Sequence, residues 1–595
     1  MIVQELHKIQ QRHGFLPKDE LHELSHRLGT PLYRLNEVAS FFPHFRLEPG
    51  PKVEVLVCHD MACHLRGGNA LRAELEKQFP AGDKHVVVRP VSCLGRCDRP
   101  VAALVNNHLH IAAPCQTSNE LTTAVRQIAD AAKSLVAGTH IAHDHDADQP
   151  RQSPQPWRID PYDGPAEYRA VRAYVAKPDA DHLIAQLKES DLRGMGGAGV
   201  PAHQKWTDVR NAGGDQKFIV CNADESEPTT FKDRELLLRT PHLIVEGMIL
   251  AGLMSGATRG YVYVRHEYHE QIAIMRQEIA RAEALGACGA NVFKSGTPFY
   301  LEVFESPGGY ICGEQSALIE AMEDKRAQPR PKPPQLETNG LYDKPTLVSN
   351  VETFAWVPAI ALNGGAWYRD LGRPGCKGAR FFSICGDVKK PGAYEVPCGI
   401  TLRELIDDFA GGLRGKLKAV APSGPSGGFL PARLPLDDLP HGWQEKLPKA
   451  FVEKTLAAKS TTYDILDFPL DLQVSRDMGL MLGAGMMVYS DGANMLDHAL
   501  NCLEFFRNES CGKCVPCRIG TQKMVEIAGS FRNQASTNLA ASKKKQDSWG
   551  PVIADLAQAM ELTSICGLGV VAPKPLTSVL KYFPEDVASF GRGGA

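Results

Sequence analysis

Leu192-Arg193-Gly194-Met195-Gly196-Gly197-Ala198-Gly199 decides the fold class through what stands on either side of it. The run satisfies G-x-G-x-x-G, a dinucleotide fingerprint that requires a strand immediately before it. His182 to Glu189 reads instead as a helix. The strand comes afterwards, at Lys217 to Cys221, and ends in Asn222-Ala223-Asp224-Glu225-Ser226-Glu227-Pro228. The ordinary Rossmann context therefore fails, yet a Gly-rich loop leading into a helix can still hold a phosphate on its backbone amides. Lys205 would add positive charge, and Asn222, Asp224 and Glu225 offer acceptors for ribityl hydroxyls or a flavin ring. On these residues alone, a glycine-rich surface turn beside an acidic patch is an equal reading.

Outward from this loop, residues 157 to about 371 alternate helices with short buried strands, including Arg259–Val264 and Tyr300–Phe304, which is an α/β pattern. Toward the N-terminus, 138–156 is rich in His, Asp, Gln and Pro and reads as a linker. A metal site on His140, His143 and His145 is the alternative there. Before it, residues 51–137 read as strand, helix, strand, strand pair and helix, one compact α/β unit. Residues 1–50 read as a helical cap broken by Pro17, Pro31 and Pro43. Toward the C-terminus, short strands and Gly/Pro turns around helix Leu402–Phe409 suggest a small β-rich unit over 375–470. From about Asp477 the pattern is helical, interrupted by two Cys-bearing loops and a polar 533–548 segment whose Lys543, Lys544 and Lys545 read as a solvated face.

Length agrees with this division. At roughly 150 residues per domain, 595 residues make about four domains. With 66 Lys+Arg against 69 Asp+Glu there is no bulk basic field, so no nucleic-acid partner is expected. No apolar run reaches the roughly 18–20 residues of a spanning helix. The nearest, His242–Gly256, contains Glu246, and Met1–Pro17 lacks an apolar export core. A cytoplasmic protein without membrane insertion is expected.

The 16 cysteines carry the chemistry. Cys58, Cys63, Cys93 and Cys97 form C-x4-C and C-x3-C pairs, each following a strand, so that four thiolates can converge at one sheet edge. Tetrathiolate sites hold zinc or iron–sulfur clusters. Zinc knuckles favour C-x2-C, and the wider spacings here suit a two-iron cluster. Cys511, Cys514 and Cys517, with Cys566 downstream, are three ligands from one turn and one from elsewhere. That is the usual wrap of a [4Fe–4S] cubane, with a four-cysteine zinc site as the alternative. Cys115, Cys221, Cys288, Cys312, Cys376, Cys385, Cys398 and Cys502 read as small buried apolar residues.

Six runs in order, Leu192–Trp206, Asn222–Arg234, Gly308–Leu318, Lys325–Pro334, Val348–Thr353 and Glu509–Thr521, resemble the flavoprotein subunit of respiratory NADH dehydrogenase and its relatives. Residues 51 to about 135 resemble its thioredoxin-fold [2Fe–2S] companion. The fusion of both is similar to the diaphorase flavoprotein of soluble NAD-reducing nickel–iron hydrogenases, with the fused flavin subunit of NAD-dependent formate dehydrogenases as the alternative.

The resemblance implies a multidomain α/β protein: helical cap 1–50, thioredoxin-like [2Fe–2S] domain 51–137, linker 138–156, and Rossmann-like FMN- and NAD-binding domain 157–374. A ubiquitin-like β-grasp domain at 375–470, with Pro422–Gly428 as its Gly-rich turn, and a helical [4Fe–4S] bundle at 471–595 complete it. It implies that FMN is held by Gly194, Gly196, Gly197, Lys205, Asn222, Asp224, Glu225, Gly313, Glu314, Asn350 and Thr353. Glu227 would lie beside the nicotinamide of NAD, Tyr310 would shape the pocket, and Lys332 would approach its NAD end. The implied partners are NAD(H), an iron–sulfur electron-transfer subunit and hydrogenase subunits. Met195, Val200, Thr229, Gln315, Gln335 and Ser349 depart from the family pattern.

Overall fold

The computed structural model describes residues 1–112, 114–139, 156–447, 449–457, 459–532 and 539–589. The histidines at 140, 143 and 145 and the side chains of Lys543, Lys544 and Lys545 lie outside the described residues.

Three helices, Ile2–His13, Lys18–Leu28 and Leu32–Phe41, open the chain; the first two stop at Gly14 and Gly29, both in the left-handed conformation that glycine adopts without penalty. A four-stranded sheet follows in the order 86–91, 53–58, 102–105, 108–111. Its first two strands are parallel, with Cys58 opposite Val91, so both cysteine pairs emerge at the same sheet end. A short helix, Met61–Leu65, carries Cys63 within the first pair.

The central sheet is wholly parallel, in the order Tyr300–Glu305, Arg259–Val264, Phe218–Ala223, Thr346–Asn350. Parallel strands must be covered on both faces. Helix Pro241–Ser255 does this on one side and is buried almost throughout, which explains its unbroken apolar run. Its Glu246 is reached by Tyr162 Oη at 2.7 Å and by the amides of Ala170 and Val171, so the carboxylate is satisfied although burial pushes its pKa up. Among the described residues no single helix is long and apolar enough to cross a membrane.

The third sheet runs 392–397, 379–386, 485–490, 417–425, 430–431. Its middle strand, Gly485–Ser490, pairs parallel with Ala379–Gly386 and antiparallel with Leu417–Pro425. This corrects the helical reading from Asp477 onward. Met486, Met487, Val488 and Tyr489 form a short apolar run, and periodicity alone cannot separate a buried strand from a helix segment of that length. The expected helix Leu402–Phe409 is one turn of α-helix, Leu402–Glu404, passing into a π-helical turn, Leu405–Phe409. Helices Met495–Glu509, Val515–Arg532, Leu539–Thr563, Gly567–Val571, Lys574–Tyr582 and Pro584–Ser589 complete the described chain.

The sheets do not stand apart. Arg66 donates to Gly386 O at 3.0 Å and Asp387 Oδ1 at 2.8 Å, and Asn501 bonds Met61 N and His59 O. The N-terminal helices share one apolar core with Cys93, Phe304 and Phe505, drawn from three different parts of the chain.

Candidate functional site

The Gly-rich loop is closed on itself by Gly194 N–H to Val200 O at 2.8 Å and Ala202 N–H to Leu192 O at 2.8 Å, and it opens into helix Ala202–Asn211. Thr353 holds it from the opposite side, accepting Met195 N–H at 2.9 Å. Gly196 packs so closely on Asn350 that an added Cβ would lie 3.3 Å from the Asn350 Cβ, whereas Gly197 faces open space. Lys205 lies beneath, 2.7 Å from Val348 O, 3.1 Å from Gln315 Oε1 and 3.3 Å from Glu337. Burial lowers its pKa despite Glu337. Gln315, a departure from the family pattern, is thus spent on this lysine.

The acidic run has distinct duties. Asn222 donates to Gly313 O at 2.8 Å, and Gly313 leaves no room for a side chain against Asp224 O. Asp224 accepts from Ser226 at 2.6 Å and Ser306 at 2.7 Å, yet burial still pushes its carboxyl up to about 6. Glu225 accepts the amides of Asp233 and Arg234 at 2.9 and 3.1 Å, capping helix Lys232–Arg239, and burial with Asp233 pushes it up to about 8. Glu314 likewise caps Gln315–Met322, with Lys332 at 4.0 Å. Glu227 is half-buried, and its desolvation raises its pKa. Tyr310 Oη donates to one oxygen, and Ser426 donates to the other through Oγ at 2.6 Å and N–H at 3.3 Å. Ser426 directly follows strand Leu417–Pro425, which takes up the first half of the expected Pro422–Gly428 turn, so two sheets meet on this carboxylate.

Behind the loop lies a buried charge cluster. Lys232 Nζ sits 3.0 Å from Glu352 and 3.1 Å from Asn350 Oδ1, and also pairs with Asp233, while Asn350 Nδ2 reaches Asp233 at 2.6 Å. Ser426 and Lys232 are functional candidates that sequence reasoning missed. Lys232 stands in the quoted Asn222–Arg234 run, but its contacts with Asn350 and Glu352 reach residues over a hundred positions away. Ser426 stands in a plain Gly/Ser/Pro turn with no chemical signal.

Cys58, Cys63, Cys93 and Cys97 are all buried together. Cys93 Sγ lies 3.4 Å from Cys97 Sγ and accepts Gly95 N–H at 3.4 Å; Cys97 Sγ accepts Thr229 N–H at 3.3 Å. Hydrogen bonds from Cys58 and Cys97, then Arg265, hold the Cys93 thiol well below its ordinary range, while its sulfur neighbours and burial push Cys58 and Cys97 up. Four buried sulfurs cannot all ionise unaided, and a cationic iron core meets that need. Cys511, Cys514, Cys517 and Cys566 line one small cavity with Ile311, Lys513 and Leu568. Burial pushes Cys517 up to about 12 and Cys566 up to about 11, again a donor set that calls for metal charge. Among the described residues, neither quartet draws three ligand atoms to within 4.8 Å of one another, a span wider than one ion takes. The eight remaining cysteines are all buried, as expected.

The two cysteine sites flank the acidic run. Thr229, two residues past Glu227, donates to Cys97; Arg234 donates to Gly95 O and pairs with Asp98; Arg265 donates to Cys93 O. On the other side, Tyr310 holds Glu227, and Ile311 lines the second cysteine cavity. Tyr310 N–H also donates to Glu509 at 2.8 Å, just ahead of Cys511.

Four family models match the chain: the Nuo51 FMN-binding domain over 187–359, the NADH-ubiquinone oxidoreductase-F iron–sulfur binding region over 497–589, the thioredoxin-like [2Fe–2S] ferredoxin over 1–126 and the SLBB domain over 381–430. The ferredoxin match takes in the three N-terminal helices. The F 2 subunit of NADH-quinone oxidoreductase from Rhizobium meliloti is 37% identical over 71% of this chain and 92% of its own. The HndC subunit of the NADP-reducing hydrogenase from Solidesulfovibrio fructosivorans is 36% identical over 72% and 80%. A chain of an NAD+-reducing [NiFe]-hydrogenase in the H2-reduced state superposes with a TM-score of 0.80 at 28% identity, covering 100% of this chain and 93% of that one. The glycine loop, its buried lysine and the two sulfur quartets therefore belong to one design, and the chain is a member of the family of NADH-quinone oxidoreductase F subunits, an oxidoreductase flavoprotein with FMN, [2Fe–2S] and [4Fe–4S] domains.

Proposed function

We infer that this chain is the NADH:acceptor oxidoreductase, or diaphorase, subunit of an NAD-reducing hydrogenase, coupling H2 + NAD+ to NADH + H+ with hydrogenase subunits and an iron–sulfur electron-transfer subunit as partners. The observation that carries it is the unbroken path from Glu227 through Tyr310 to Ile311 in the wall of the Cys511–Cys566 cavity. The similarity to hydrogenase subunits supports the choice of partner. Bound in the site, FMN supplies hydride exchange with a nicotinamide and single-electron exchange with iron–sulfur clusters.

The chain supplies position and electrostatics. Gly196 and Gly197 would present backbone amides to the phosphate, Gly194 holds the loop closed through its own amide on Val200 O, and Lys205 is the positive charge behind them. Asn222, Asp224 and Gly313 shape the ring end, and Glu225, Glu314, Asn350 and Thr353 hold the loops that carry these groups. Glu227 sets a fixed negative charge where the oxidised nicotinamide is positive, with Tyr310 and Ser426 holding both its oxygens. Lys332 stands toward the NAD end. Val200 is 40% exposed, so the adenine end is open where the family places an aromatic residue.

Glu227→Gln should keep FMN and iron yet lower NADH-dependent viologen reduction about tenfold or more, equivalent to ~1.4 kcal/mol of transition-state stabilisation. Unchanged turnover in that variant would remove Glu227 from the nicotinamide site. Assaying NAD+ reduction by the native complex with hydrogen, and separately with formate, tests the partner. Formate-only activity would move the chain to the formate dehydrogenase reading.

A further inference from the structure

His7, His44 and His266 come from three separate segments: helix Ile2–His13, the turn after helix Leu32–Phe41, and the turn after strand Arg259–Val264. One ring nitrogen of each lies within 4.8 Å of the others, the only such group of three or more metal-binding side chains among the described residues. The His7 ring stacks on His266 at 5.7 Å between centroids and lies 5.9 Å from His44; the His44 and His266 centroids are 3.4 Å apart. His7 Nε2 is buried without a hydrogen-bond partner, which folded proteins seldom tolerate. Glu305 stands behind two of the rings, its Oε1 3.2 Å from His266 Nδ1 and 4.0 Å from His7 Nδ1, while Arg276 reaches its other oxygen at 3.6 Å.

We propose that His7, His44 and His266 form a site for a divalent transition ion of the zinc class, with Glu305 as its carboxylate. Three imidazoles with a carboxylate behind them are a borderline-soft nitrogen set that suits zinc and not calcium or magnesium. Metal–nitrogen bonds of about 2.0–2.1 Å put tetrahedral ligands roughly 3.3 Å apart, so the rings need only a small closure.

The three histidines and Glu305 line a cavity of about 1290 Å³ whose wall also includes Gly308 and Gly309. The fourth coordination position would face that cavity. An ion here would staple the first helix to the strand ends that lead, through Gly308 and Gly309, to Tyr310. It is distinct from both cysteine sites, since no sulfur belongs to the set.

The test uses the full-length chain, purified anaerobically with flavin and clusters intact, cleared of loose metal with a chelator and titrated with zinc. Zinc K-edge absorption should show one zinc per chain with nitrogen and oxygen neighbours and an imidazole outer shell. His7→Gln and His266→Gln should weaken binding at least a hundredfold and Glu305→Gln at least tenfold, whereas His13→Gln on the exposed surface should bind as the parent does. Iron, FMN and NADH–viologen turnover, unchanged across the set, report that each variant is folded. Sulfur neighbours in the zinc spectrum, no stoichiometric zinc in the parent, or equal affinity in folded His7→Gln would each overturn the proposal. Loss of zinc with turnover intact would support it without bearing on the diaphorase reading.

Discussion

Thr229 holds a left-handed backbone at φ 77°, is fully buried, and leaves its Oγ1 without a hydrogen-bond partner while its N–H donates to Cys97. A β-branched residue in that conformation is strained by roughly 1–2 kcal/mol, and the orphan hydroxyl adds a desolvation cost. Thr229→Gly keeps the N–H and removes both penalties. Against this stand only glycine's greater unfolded-state freedom and a small void. The variant should therefore gain about 1 kcal/mol and melt higher, with its [2Fe–2S] EPR signal unchanged. A lower melting point would show that the threonine side chain contributes packing that outweighs its strain. At this scale the sequence was readable where ligands are local. C-x4-C, C-x3-C and C-x2-C-x2-C bring sulfurs together within one or two turns. Thr229 with Cys97 and Glu227 with Ser426 are contacts between distant segments, which no spacing rule encodes.

Helix Pro241–Ser255 meets helix Val351–Asn363 at Gly247, where an added Cβ would collide with the Phe354 carbonyl oxygen. Helix propensity alone favours alanine there by about 1 kcal/mol. Overpacking against backbone costs about 1–3 kcal/mol and should win, so Gly247→Ala should destabilise the chain in denaturant unfolding; a stabilised variant would mean that the helices part freely. A second element-scale test concerns strand Gly392–Pro397. Its Glu395 accepts Ile159 N–H at 3.0 Å, and burial pushes the carboxyl up to about 7. Its folded pKa thus exceeds the ordinary 4.5, so its contribution is complete below pH 4.5 and is lost as pH rises through about 7. Comparing unfolding midpoints of parent and Glu395→Gln between pH 4.5 and 7 should reveal a slope missing from the variant, of at most about 1.4 kcal/mol per pH unit. Parallel slopes would contradict the assignment. Elements with clear period or punctuation were legible from sequence, such as Arg259–Val264 and the proline-broken N-terminal helices. Strand Gly485–Ser490 was not, because its partners at 379–386 and 417–425 lie far upstream and only their pairing makes it a strand.

In the whole molecule, the acidic run Asn222–Arg234 lies between two sulfur quartets, reached through Thr229, Arg234 and Arg265 on one side and through Tyr310 and Ile311 on the other. Four domains could be read from sequence as separate units with separate chemistries. Their docking could not, because it rests on single side chains such as Arg66 and Asn501 that bridge distant segments. In the proposed diaphorase the Cys511–Cys566 quartet stands on the route to the partner, and exchange with NADH belongs to the loop around Glu227. The most direct measurement follows both reactions in the Cys514→Ser variant of the native complex, purified anaerobically through this chain. Bleaching of the flavin by NADH should persist, while hydrogen-dependent NAD+ reduction should fall to background. Undiminished hydrogen-linked turnover in that variant would contradict the central claim.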